Sequence, residues 1–401
     1  MDFQNKVLQL KGVPMQYAWG GYQFIPELLA IQNTENKPFA EYWMGAHSSH
    51  PSQVTDGKQE LPMNTWIAQN AKHILGSSTF ERFKELPYLF KVLDVKDMLS
   101  IQVHPTREEA IKGFEAEDAA GIPINASNRN YKDKNHKPEV MVALSDFWLL
   151  HGFKKKDALY KTLENIPEFN TFIALFKSEG YKELYKLLME MHQADVNNLL
   201  LPLVKRELRK KKEGLLQKDE PGWWVCKLFE HDQAIENIDR GVFSIYLFNI
   251  VKLLPGEAIF QDAGIPHAYL EGQNVELMAN SDNVLRGGLT PKHIDVPELL
   301  KHTQFEGIIP NVLKGTKLHN VTLYPCPVAD FGIAKIQLQQ GDVYSNTTTS
   351  LEILIIMQGA VIVKGQEDKV LKRGHAIAVA AGSSYQLTAS GGAELYKAFV
   401  P

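Results

Sequence analysis

The sequence predicts a mainly β protein in which two regions of sandwich or jelly-roll character are separated by an all-helical insertion. Three observations carry this. Short apolar runs of strand length, parted by Gly, Pro, Asn and Asp clusters, fill most of residues 1–155. From Lys154 to Lys212 the chain turns rich in Leu, Glu, Lys and Met, and Leu184, Leu187, Leu188 and Met191 fall on one helical stripe. Short strands at regular intervals with glycine turns then return.

Taken in order, Tyr88–Asp94 and Val140–Leu144 are of β length and rich in Val and aromatics. One helix is expected between them and the start, from Thr65 to Ile74. The basic run Lys205–Lys212 closes the helical stretch. Cations are favoured at a helix C-terminus, so a solvated helix end accounts for them without an acidic partner or nucleic acid. Trp223 and Trp224 read as packing residues at a junction rather than a sugar platform. Val242–Leu254 is expected as a strand, Pro255-Gly256 as a turn, and Val296–His302 as a short helix. Further strands are expected at Phe331–Leu338, Leu351–Met357, Ala360–Lys364 and His375–Ala380. The stretches Pro255–His267 and Lys372–Ser384 share one strand–turn grammar, as distant copies of one design would. The second lacks the Pro-His pair.

Composition sets outer bounds. A chain of 401 residues is long for one domain, and two or three are expected. Apolar residues at 44% supply an ample core, and a net charge of -4 gives no global field for nucleic acid or membrane. Cys226 and Cys326 are too few for a secreted disulfide scaffold and fit a reducing cytosol. The start, Met1 to Val7, has no basic-then-apolar signal pattern, and no apolar run approaches the length of a membrane span. A cytoplasmic location is expected.

The most informative stretch is Leu99-Ser-Ile-Gln-Val-His-Pro105. On a strand, Gln102 and His104 leave the same face, about 7 Å apart at Cα. Glu139, after Pro138, and His267, after Pro266, stand in similarly rigid settings. Two His, one Glu and one Gln with an open position are compatible with a catalytic zinc site. A lone histidine in an apolar run, such as His104, reads more readily as a satisfied core residue, and no compact spacing code joins these four.

Seven ordered motifs bear on that choice. They are Gln16-Tyr-Ala-Trp-Gly20, Ala40-Glu-Tyr-Trp-Met-Gly-Ala-His47, the Ser100–Pro105 strand, Tyr131–Glu139, Pro255-Gly-Glu257, Pro266–Leu270 and Ser281–Lys292. Together they resemble the type I mannose-6-phosphate isomerases, cupin aldose–ketose isomerases that depend on zinc. The resemblance implies two cupin jelly-roll domains with an all-helical insertion domain. The implied catalytic jelly roll is discontinuous, over 1–155 and 238–310. The helical domain spans 156–237, and a metal-free jelly roll spans 311–401. One zinc ion per chain is implied, on Gln102, His104, Glu139 and His267.

The resemblance further implies that Arg286, Lys137 and Asp282 act in catalysis. Ser100, Lys292, Glu276, Tyr269, Trp19 and His47 are implied to bind substrate. Strand parity is consistent with part of this, since Lys137 lies two residues before Glu139 and Ser100 two before Gln102. The chain departs from the family pattern at Gly287, where alanine is usual and where glycine loosens the loop bearing Arg286, and at Tyr42, where leucine is usual. The implied substrate is a small sugar phosphate and the implied state a monomer.

Other readings are a cupin isomerase of a related sugar phosphate, and a non-catalytic sugar-binding cupin. Intact candidates for metal, cation, acid/base and phosphate groups argue against the latter. A nucleotidyltransferase fusion is excluded by the lack of a glycine-rich phosphate loop, a Rossmann fingerprint or a Walker pattern.

Overall fold

The computed structural model describes residues 7–230, 235–364 and 368–401. Residues 1–6, on which the expectation of no signal pattern falls, lie outside the described residues. So do 231–234 of the expected helical region and 365–367 of the expected terminal one. Among the described residues the chain is mainly β, in sheets of ten, nine and four strands. No helix among the described residues is long and apolar enough to cross a membrane.

The ten-stranded sheet is organised by one long strand, His267–Ala279. It pairs antiparallel with Tyr88–Val95, Gln102–Val103, Glu139–Ala143 and Phe147–Phe153. One face buries Val275, Leu277 and Ala279 in an apolar core with Ile353, Ile355, Ala376 and Ala378. The other face turns polar. The register shifts between Tyr269 and Glu271, beside Gly272 at φ 129°. Such an irregularity switches the alternation of side chains. That is why odd-numbered His267 and Tyr269 line the same cavity as even-numbered Glu276.

The helical region runs between two neighbouring strands of this sheet, Phe147–Phe153 and Phe248–Leu253. Its helices, from Lys156–Asn165 to Gly241–Leu247, close over a core that also takes in Trp148, Leu150, Ala268 and Leu285 from the strands. Trp224 is fully buried there, 5.8 Å from the ring of Trp148, and Trp223 stacks under the ammonium of Lys211.

Three local expectations are corrected. Val242–Leu254 is not one strand, because Gly241–Leu247 is a helix and only Phe248–Leu253 is strand. All seven helix residues are buried, so the apolar run has no periodicity to betray it, and packing overrides β-propensity. The single helix expected over Thr65–Ile74 is two short ones, Met63–Gln69 and Ala71–Leu75, broken at Asn70, and a third, Ser77–Phe83, follows after Gly76 with φ 89°. The helix Arg107–Ala119 has no counterpart among the expected elements, because it buries only Ala110, Gly113 and Glu117 and shows no apolar stripe. A start signal is nonetheless present, since Thr106 caps it by accepting from the Glu109 amide.

The terminal β region meets the first in an unexpected way. Val7–Lys11 pairs with Ala376–Val379 and also with Gln53–Thr55, so strands from the start of the chain extend the nine-stranded terminal sheet. That sheet faces the four-stranded one across Leu354, Ile356, Val361, Leu387 and Leu395.

Candidate metal centre

His104 and His267 come from elements that the sheet brings side by side, since His267 is the register partner of Gln102. The Nδ1 atom of His104 lies 3.0 Å from the Asn283 carbonyl oxygen, and that of His267 lies 2.9 Å from the Ile265 carbonyl oxygen. A carbonyl accepts only from an N–H, so each ring carries its proton on Nδ1 and keeps an Nε2 lone pair free. Both Nε2 atoms face Glu139, at 3.4 Å for His104 and 3.5 Å for His267.

One ligand atom from each of His104, Glu139 and His267 lies within 4.8 Å of the others, and all three residues are buried. Burial, with Lys137 nearby, takes the His104 imidazole down to about 4. Burial would raise the Glu139 carboxyl, but Lys137 and the imidazoles outweigh it and hold it well below the usual carboxylate range. His104 Nε2 is a buried polar atom with no hydrogen-bond partner. A donor set of two imidazoles and a carboxylate, with one buried nitrogen left unsatisfied, fits a zinc-type ion.

Gln102, Lys137, Glu139, His267, Tyr269 and Glu276 line a common cavity of about 60 Å³. A wider groove of about 850 Å³ near Lys317 and Ser345 has no buried charge among its lining residues, so size does not pick out the chemical site. Lys137 Nζ sits 3.0 Å from Glu139 Oε1. Tyr269 donates its hydroxyl to Glu276 Oε1 at 2.8 Å. Arg286 is the register partner of Gln102 on the side opposite His267, which sets three polar residues in one row across the sheet. Gly287, next to Arg286, is tied to the neighbouring strand and closely packed. Its amide donates to the Ile101 carbonyl, and a Cβ there would come within 3.0 Å of Tyr185 Oη.

The other expected residues do not line this cavity. His47 Nε2 is 3.3 Å from Asp282 Oδ2, and this contact holds the Asp282 carboxyl below its ordinary value. Trp19 is partly buried against the cluster containing Tyr269. Ser100 is partly buried and Lys292 exposed.

Two buried charges in the cavity wall are absent from the residues expected there, Lys91 and Glu41. Lys91 Nζ lies 3.4 Å from Glu41 and 3.2 Å from Glu276, above the ring of Trp43. Burial would lower its ammonium, but the carboxylates of Glu41, Glu276 and Glu139 keep it raised. Burial raises the Glu276 carboxyl despite Lys91. The signal for Lys91 is a charge inside an eight-residue strand buried throughout, which needs a partner to be there.

The family profile described as phosphomannose isomerase type I, catalytic domain, matches residues 7–156. The mannose-6-phosphate isomerase of Salmonella typhimurium is 38% identical over 397 residues, covering 96% of this chain and 97% of the relative. That of Mus musculus is 33% identical over 417 residues, covering 95% of each. A crystal structure of the Salmonella typhimurium enzyme with its substrate fructose 6-phosphate and zinc bound superposes with a TM-score of 0.88, at 34% identity over 98% of this chain and 99% of that one.

Proposed function

This chain belongs to the type I phosphomannose isomerase family, and on that premise we propose that it interconverts D-mannose 6-phosphate and D-fructose 6-phosphate through an enediol or enediolate, with one zinc ion per chain. The observation carrying the proposal is the buried convergence of His104, Glu139 and His267, each imidazole presenting Nε2. Gln102, in register with His267, is the fourth ligand. Zinc held there supplies a Lewis acid for a sugar oxygen.

The remaining roles fall to the chain's own groups. Moving a proton between C1 and C2 leaves negative charge developing on oxygen, and Arg286, protonated at any working pH, stands beside Gln102 to stabilise it. Of the two carboxylates considered for proton transfer, Glu276 faces the cavity and is held by Lys91 and Tyr269, whereas Asp282 is engaged by His47. Glu276 is therefore the better placed. Lys137 fixes Glu139 and adds a second cation to the cavity wall. Ser100 and Lys292, less buried, are assigned to the phosphate, and Trp19 and His47 to the outer wall of the sugar site.

The same reading keeps a discontinuous catalytic cupin over 1–155 and 238–310, a helical insertion over 156–237 and a terminal jelly roll over 311–401. The insertion between two paired strands supports it. A monomeric cytoplasmic enzyme completes the proposal.

A coupled assay with mannose 6-phosphate, glucose 6-phosphate and other aldose phosphates tests it. Mannose 6-phosphate is expected to be preferred, with activity lost on chelation and restored by zinc. Full activity after exhaustive chelation, or preference for another aldose phosphate, defeats the proposal.

A further inference from the structure

Two ligand-bearing segments meet at one carboxylate that the chemistry above does not use. Asp330, just ahead of the strand Gly332–Leu338 of the terminal sheet, is 3% exposed. Its Oδ1 accepts from Arg107 Nη2 at 2.7 Å and lies 3.0 Å from His136 Nε2, and those two nitrogens are 2.8 Å apart. Arg107 is three residues after His104, and His136 is three residues before Glu139.

We propose that Asp330 is a positioning residue for the metal centre, clamping the His104 and Glu139 segments to each other from the terminal β region. The inference rests on the zinc reading above. Each tie from the clamp to a ligand runs through a proline, Pro105 on one side and Pro138 on the other. Proline locks φ, so movement at Arg107 or His136 reaches the ligand with little backbone freedom to absorb it. The helix N-cap at Thr106 stiffens the first tie further. Burial of Asp330 gives the cluster a share in stability, which the 45% exposure of the Arg107 side chain limits, but stability does not require these two segments to be the ones joined. The geometry instead joins two ligand segments that are not sheet partners of each other. It also gives the terminal region a share in the metal site without a side chain in the cavity.

The test is the zinc affinity of the full chain by chelator competition, with the melting temperature of the metal-free protein as a check on folding. Asp330→Ala is expected to weaken zinc binding about tenfold, the low end for residues that orient ligands. Asp330→Asn keeps the shape and an acceptor oxygen, so a smaller loss is expected, and this variant serves if the alanine form does not fold. In an Arg107→Ala/His136→Ala background, Asp330→Ala should cause no further loss, whereas general loosening of the terminal region would persist there. Unchanged affinity in both single variants, or equal weakening in the double-variant background, overturns the clamp. A wild-type chain that binds no zinc overturns the ligand reading together with it.

Discussion

Among the described residues Arg286 has no carboxylate partner, although it is partly buried beside the row that carries Gln102 and His267. A half-desolvated cation without a counter-charge is costly unless a ligand supplies one. If that ligand charge develops in the transition state, Arg286→Ala lowers kcat by roughly 10²–10³-fold and leaves KM nearly unchanged. That is the expected outcome on mannose 6-phosphate. A raised KM with intact kcat would mean a uniform grip on the phosphate, and wild-type constants would remove Arg286 from the site. Lys154 makes a second case of a desolvated cation. Burial takes its ammonium down to about 8, with Thr162 Oγ1 at 3.2 Å as its acceptor. Between about 8 and about 10.4 the folded lysine is neutral while the unfolded one stays protonated, so the unfolded state binds more protons. Stability therefore gains from this residue as pH rises through that window, and below it the burial penalty is felt in full. Lys154→Met should stabilise the protein at about pH 7 and flatten the rise, read from urea unfolding at about pH 7 and about pH 9.5. A rise kept by the variant would count against this account.

At the scale of elements, the strand His267–Ala279 does the organising, and its irregularity at Tyr269–Glu271 lets the candidate ligand His267 and the Glu276 carboxylate line one cavity. Gly272 makes this possible. Its φ is 129°, and a Cβ there would stand 2.7 Å from the Asp146 carbonyl oxygen. Gly272→Ala is expected to destabilise by about 1–3 kcal/mol and to lower activity as well, because the parity switch lies between His267 and Glu276. Denaturant midpoints together with kcat would show it, and an unaffected kcat would detach the bulge from the site. Several strands are legible as elements, although the organising strand His267–Ala279 is not among those the sequence marks. Tyr88–Val95, Glu139–Ala143, Glu352–Gln358 and Ala360–Lys364 each lie within a residue or so of the apolar run that predicts them. The helix Gly241–Leu247 is not, because burial on all sides erases the 3.6-residue period that distinguishes helix from strand.

Over the whole molecule, one apolar core joins the two β regions. Val140, Val142, Val275 and Leu277 from the site-bearing sheet pack with Leu8, Ile353, Ile355 and Tyr396 from the terminal one. The Tyr88 hydroxyl crosses the same boundary to the Leu351 carbonyl at 2.9 Å. Removing a fully buried side chain there should be felt by both regions. Ile355→Ala is expected to cost about 2–5 kcal/mol and to lower one common calorimetric transition. Two separate transitions, with only one shifted, would show that the core does not couple them.

From the sequence, the residues alone left the candidate ligands open to a plain core reading, and the resemblance of the ordered motifs to a known family is what singled them out. The ligand candidates stand in proline-flanked motifs whose meaning travels with a few neighbouring residues, and the helical stretch announces itself by its own periodicity. What only the tertiary structure decided are the meetings across long separations. Lys91 sits between Glu41 and Glu276, Asp330 reaches Arg107 and His136, and Val7–Lys11 joins a sheet completed near the other end of the chain. Periodicity and capping report on residues within a turn or a strand of one another. A partner that lies far along the chain leaves no such mark. A buried charge declares that it must have a partner, and only the fold supplies which one.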